Sequence, residues 1–158
     1  MFSFDADYSL PSIDALEKLF SAGSELDLGI NRLVRSETER IRLRVPRATG
    51  NLARSIQPKR NAPFDYEINV GSPYAYWADQ GRRAGRMPPI DAIRYWLLVK
   101  GFGGRGEDIN RKAWAIAKAI AKKGTKGSHF MPNQTDINEL YRNLEQLTVG
   151  EIRKALAL

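Results

Sequence analysis

Two pairs of carboxylates, Glu107 with Asp108 and Asp65 with Glu67, come nearest to chemistry by type and spacing, since paired acids can hold a divalent metal for phosphodiester hydrolysis. Neither spacing is selective. Glu107 and Asp108 open an apolar-periodic stretch, where the helix dipole favours acids, and Asp65 and Glu67 are the polar half of an alternating run. The chain has no cysteine and one histidine, His129, in Gly127-Ser-His-Phe130. There is therefore no thiolate nucleophile, no disulfide and no cysteine zinc site, and any triad or imidazole base would have to use that one residue. Gly101, Gly103 and Gly106 satisfy G-x-G-x-x-G but follow a helical pattern instead of a strand, so they read as an inter-helix loop. Gly124-Thr-Lys-Gly127-Ser lacks P-loop spacing. The expectation is a protein without catalytic residues, metal site or cofactor.

Charge and aromatics give a second kind of candidate. The net charge of +7 is unevenly placed: residues 82–126 hold twelve Lys and Arg against three Asp and Glu, whereas residues 1–45 sum to −2. Such a basic stretch can face nucleic acid or an acidic protein surface, because both answer to the same long-range field. Arg82, Arg83 and Arg86 follow Tyr74, Tyr76 and Trp77 directly. That mixture can join phosphate contacts to base stacking, as in single-strand binders. It is also what protein interfaces favour, with aromatics as anchors and arginines as a rim, and this is the preferred reading. Arg105, Lys118, Lys122 and Lys123 would face DNA in the alternative, a nucleic-acid-binding module built on the basic segment.

The elements that must position these residues follow from periodicity. Residues 1–12 carry Phe2, Phe4 and Tyr8 with Asp5 and Asp7 but no period, and read as an arm whose Phe2 and Phe4 reach a neighbour. From Ile13 to about Val45 apolar residues recur at three- and four-residue steps, interrupted at Gly23 and Gly29. A short helix, a break near Ser21 to Ser24 and a longer helix ending before Pro46 are expected. The alternating charges of Glu37, Glu39, Arg40, Arg42 and Arg44 read as solvated ion pairs. Thr49 or Asn51 can cap a single helical turn. Phe64 to Val70 then alternates without exception, with Ser55 to Arg60 as a strand partner across Asn61 to Pro63. Gly71 to Gly81 reads as an aromatic stretch between glycines, followed by a basic loop. Helices are expected from Ile90 to Lys100, from Glu107 to Lys123 and from Asn133 to Leu156, the last with a seam of Ile137, Leu140, Leu144 and Leu147.

The predicted class is α+β: a small antiparallel sheet, hairpin or meander, flanked by a long N-terminal helix and C-terminal helices. The predicted organisation is an arm over 1–12, a single domain over 13–132, and a helical segment over 133–158 packing on that domain or a partner. No apolar run reaches about 18 residues, and no signal pattern is present, so a soluble protein that stays where it is made is expected.

Read as one block, Pro46-x-x-Thr49-Gly50-Asn51-Leu52-x-x-Ser55-Ile56, the alternating strand, Gly71-x-x-Tyr74-Ala75 and Gly81-Arg-Arg resemble the small neck or tail-completion proteins of tailed bacteriophages. The likeness spans about Pro46 to Phe130. It implies a non-enzymatic subunit of the head-tail junction that forms a homo-oligomeric ring, a hexamer, between connector or adaptor proteins and tail-tube or terminator proteins. It also implies assembly in the bacterial host cytoplasm, a final place in the virion, and at most non-specific contact with passing DNA. The glycine-rich loop and basic helix after Lys100 and the long final helix depart from the shorter members of that family.

Overall fold

A computed structural model describes residues 13–102 and 106–156. Among these residues the fold is α+β, with seven helices, one two-stranded hairpin and one two-residue strand pair. In chain order these are α1 (Ile13–Leu19), α2 (Glu25–Arg44), α3 (Asn51–Ser55), β1 (Ile56–Ala62), β2 (Asp65–Val70), α4 (Ala75–Gln80) and β3 (Gly81–Arg82). They continue with α5 (Ile90–Val99), α6 (Gly106–Lys123), β4 (Thr125–Lys126) and α7 (Gln134–Ala155). Strand β1 pairs with β2, and β3 pairs antiparallel with β4. The chain divides into two compact units: the described parts of 1–38, 58–68 and 133–158, and then 39–57 with 69–132.

In the first unit the break between α1 and α2 falls where expected, with the Ser21 hydroxyl donating to the Lys18 carbonyl at 2.7 Å. Gly29, which interrupts the apolar pattern, lies inside α2. Its reason is packing: a Cβ on Gly29 would stand 2.7 Å from Leu147 Cδ1, so the missing side chain is what admits Leu147 of α7. Of the expected seam on α7, Leu140, Leu144 and Leu147 are half-buried whereas Ile137 is exposed. Asn133 starts that helix with a reciprocal cap, its side chain accepting from Thr135 N at 2.8 Å and Asp136 N at 3.0 Å, while its own N–H donates to Asp136 at 2.9 Å. Two donors that a helix start leaves open are thereby satisfied.

In the second unit α2 ends with Ile41 and Val45 buried, and Pro46 prevents a further turn. Arg42 departs from the expected solvated pairing. Its Nε and Nη2 donate to the Ile56 carbonyl at 2.9 and 2.6 Å while Nη1 pairs with Glu39, so this arginine ties α2 to the first residue of β1. Glu37, on the part of α2 that belongs to the first unit, departs as well, being buried. The hairpin is closed at its base by the Gly71 N–H, which donates to the Ser55 carbonyl at 3.0 Å. Helices α5 and α6 form a core of Ile93, Leu97, Ile109, Ala113 and Ala117, backed by Ile90, Ile116 and Ile120. Ala113 and Ala117 are fully buried, small residues at the helix contact. Each fully buried Ile or Leu here contributes roughly 1.5–3 kcal/mol.

Candidate interface groove around α4 and the arginine loop

The aromatic stretch expected between glycines contains a short helix, α4, begun after Tyr74 and stopped at Gly81. One helical turn sorts its side chains by face. Tyr76 and Trp77 emerge 65% and 56% exposed, their rings edge to face with centroids 5.2 Å apart. Asp79 turns inward and is 5% exposed. Its carboxylate accepts from Met131 N at 2.9 Å and Gln80 Nε2 at 2.6 Å, and its carbonyl accepts from His129 N at 3.0 Å. The Ala78 carbonyl takes both the N–H and the hydroxyl of Ser128, at 3.0 and 2.8 Å. These bonds strap residues 128–131 against α4.

Gly81 opens β3, opposite Lys126, with φ 79° and ψ −172°, a region essentially closed to residues with a side chain. A Cβ there would lie 2.3 Å from the Thr125 carbonyl oxygen and 2.5 Å from Gly127 N. The chain then swings out through residues 83–87 and is pinned by the Gly85 N–H, which donates to the Ala121 carbonyl of α6 at 2.8 Å. Inside the loop Arg82 Nη2 donates to the Arg86 carbonyl at 2.5 Å. Arg83 and Arg86 are exposed, and no carboxylate among the described residues faces their guanidinium groups. Together Tyr76, Trp77, Gln80, Arg82, Arg83 and Arg86 line a groove of about 720 Å³. It carries three arginines and no acidic residue, so it presents positive charge between aromatic walls.

Five of the residues singled out in the sequence, Tyr76, Trp77, Arg82, Arg83 and Arg86, thus share one groove. Tyr74 does not. It lines a separate cavity of about 190 Å³ with Pro46, Thr49, Gly50, Leu52 and Ala78, which brings two sequence-distant stretches together. Lys118, Lys122 and Lys123 are exposed on α6 outside the groove lining, and Arg105, Phe2 and Phe4 lie outside the described residues. The carboxylate pairs are engaged separately: Glu67 with Lys59 at 2.9 Å and Asp108 with Lys112 at 3.5 Å, while Glu107 is exposed in the first turn of α6. The hydrogen bond from Lys59, with help from Asn61, holds Glu67 below its usual carboxylate range. His129 is an exposed loop residue with φ 49°.

Sequence reasoning missed Asp27, a carboxylate 1% exposed on α2. It accepts from Phe64 N at 3.0 Å, Gly23 N at 2.9 Å, the Tyr66 hydroxyl at 2.8 Å and Arg60 Nη2 at 2.5 Å, and Arg60 also lies over the Tyr66 ring, 5.8 Å from its centroid. The Phe64 backbone N–H above all, then the Gly23 N–H, lower its pKa to about 2, with smaller help from Tyr66 and Arg60. Four donors use the lone-pair capacity of a carboxylate, so Asp27 is a structural clasp and has no room for a reacting proton. Its one sequence signal is Ser24-x-x-Asp27, the spacing of a helix cap, realised by Asp27 N donating to Ser24 Oγ at 3.3 Å.

Comparison of the chain with protein-family models, with curated proteins and with solved structures finds no match.

Proposed function

We propose that this chain is a structural subunit of a tailed-phage head-tail junction, assembling as a ring that joins connector to tail, and that the α4–arginine-loop groove is one of its subunit contacts. The observation that carries the reading is the groove: two large exposed aromatics and three arginines converge on one concavity that lacks any acidic or imidazole side chain. Aromatic and arginine anchors in a concave site are the chemistry of protein interfaces, not of proton transfer. The likeness to neck and tail-completion proteins gives this surface its setting. The cavity joining Pro46, Thr49, Gly50 and Leu52 to Tyr74 supports it, because residues that are short motifs in sequence form one spatial feature.

A second reading is favoured by the guanidinium groups of Arg83 and Arg86, which face no carboxylate among the described residues. Beside Tyr76 and Trp77 they could hold a phosphate backbone with stacked bases, and Lys118, Lys122 and Lys123 would extend that surface.

The mass of the purified full chain, alone and with long double-stranded DNA at low and at about 0.15 M salt, separates the two. A closed species of fixed copy number, unchanged by DNA, is expected. A chain that stays monomeric and binds DNA tightly, with affinity that collapses as salt rises, would put the nucleic-acid reading first.

A further inference from the structure

We infer that the groove of Tyr76, Trp77, Arg82, Arg83 and Arg86 receives residues 1–12 of a second copy of this chain, an inference that rests on the ring reading above. The groove sets the terms. Its occupant must bring carboxylates to meet guanidinium groups and apolar rings to cover Tyr76 and Trp77, which stand more than half exposed.

Many carboxylates of the described residues already have partners. Glu25 faces Arg32, Asp27 faces Arg60, Asp91 faces Arg94 and Glu151 faces Lys154. Asp79 is buried against the Met131 N–H, and Asp136 caps α7. Residues 1–12 are of the complementary composition: Phe2, Phe4, Asp5, Asp7 and Tyr8, with no lysine or arginine. Their spacing also fits. In an extended segment successive side chains alternate sides, so Asp5 and Asp7 would share one side and Phe2, Phe4 and Tyr8 the other. Such a strip offers acid to the arginine loop along one edge and rings to Tyr76 and Trp77 along the other.

The balance of charge is complementary between two stretches that every copy carries, which is what a contact between copies requires. Residues 1–31 hold six Asp and Glu and one Lys, for −5, while residues 82–126 sum to +9. Copies meeting head to tail bring these opposite regions together, and head-to-tail contacts are the kind that close into rings. Twelve extended residues span about 40 Å, so the segment can act at a distance from the helix it precedes.

The test titrates the full chain, held below the concentration at which it self-associates, into a fluorescent peptide of residues 1–12 and follows anisotropy. Saturable binding is expected, weakened about tenfold by Arg83→Glu with Arg86→Glu, weakened equally by Asp5→Lys with Asp7→Lys in the peptide, and restored when both reversals meet. In the full chain each reversed variant alone should lose self-association, and an equimolar mixture of the two should regain it. Thermal melts confirm that the variants fold. Failure of the wild-type peptide to bind, or binding indifferent to the reversals, overturns the inference. So does a mixture that stays unassociated while the peptide binds, since the segment then docks within its own copy. Capture of a DNA oligonucleotide in place of the peptide assigns the groove to nucleic acid and also overturns it. Rings that persist in Arg83→Glu/Arg86→Glu remove this docking mode and leave the ring reading standing.

Discussion

The Tyr66 hydroxyl donates to Asp27 Oδ1 at 2.8 Å, joining β2 to α2 between residues 39 positions apart. Around that bond gather the backbone N–H groups of Gly23 and Phe64 and the Arg60 guanidinium, so a single carboxylate fixes the α1–α2 turn and the hairpin tip at once.

Acid should therefore loosen this chain through Asp27. Its pKa is depressed from 3.8 to about 2, so between those values the unfolded chain binds a proton that the folded one refuses. The stabilisation is complete above the unfolded value and fades as pH falls through the folded one. Urea midpoints measured from pH 5 to pH 2 should fall more steeply for the wild type than for Asp27→Asn. The variant should be the less stable of the two at pH 7.

Gly81→Ala tests the crossing of β3 and β4. The added methyl would meet the Thr125 carbonyl oxygen at 2.3 Å, on a backbone that glycine alone adopts readily. A loss of at least about 3 kcal/mol in chemical denaturation, or failure to fold, is expected. Gly106→Ala, where nothing lies within 4 Å, should instead be neutral or gain roughly 0.5 kcal/mol.

The α5–α6 contact makes its own forecast. Ala113 is fully buried in that core whereas Ala115 is exposed on the same helix. Ala113→Leu should cost about 1–3 kcal/mol by overpacking, and Ala115→Leu should stay within about 0.5 kcal/mol of wild type by the same denaturation assay.

Asn133→Ala removes the side-chain oxygen that accepts two N–H groups at the start of α7. A loss of about 1 kcal/mol is expected, with faster amide exchange at Thr135 and Asp136, and Asn133→Asp should recover most of it.

Periodic features were legible beforehand because they are local. The strict alternation from Phe64 to Val70 became β2, and the three- and four-residue steps on either side of Ser21 to Ser24 became α1 and α2. The arginines after Gly81 and the aromatics before it could be picked by type, and five of them meet in one groove because a short helix and a strand pair aim them there. That helix was not legible: six residues between glycines are too few to show a period, and its stability rests on Asp79 and on residues 128–131, about fifty positions later. Gly29 interrupted the apolar pattern for a related reason, since the partner that fills its notch, Leu147, lies more than a hundred positions away. Arg42 looked like an ordinary solvated helix charge, and Asp27 drew no reading at all. Their partners, the Ile56 carbonyl and the Phe64 N–H, are backbone groups whose position no side-chain pattern encodes.

The arginine loop is held by its ends: the Gly81 crossing before it, the Gly85 N–H on α6 within it, and the Arg82 bond to the Arg86 carbonyl across it. All three fastenings involve backbone atoms, and Ala84 and Arg83 between them point no side chain into a core. Arg83, Ala84 and Arg86 are in consequence interchangeable side chains on a fixed frame, whereas Gly85, with φ 152°, is not. Substitution of Arg83 and Arg86 would therefore change the charge this face presents while leaving the backbone fastenings beneath it in place.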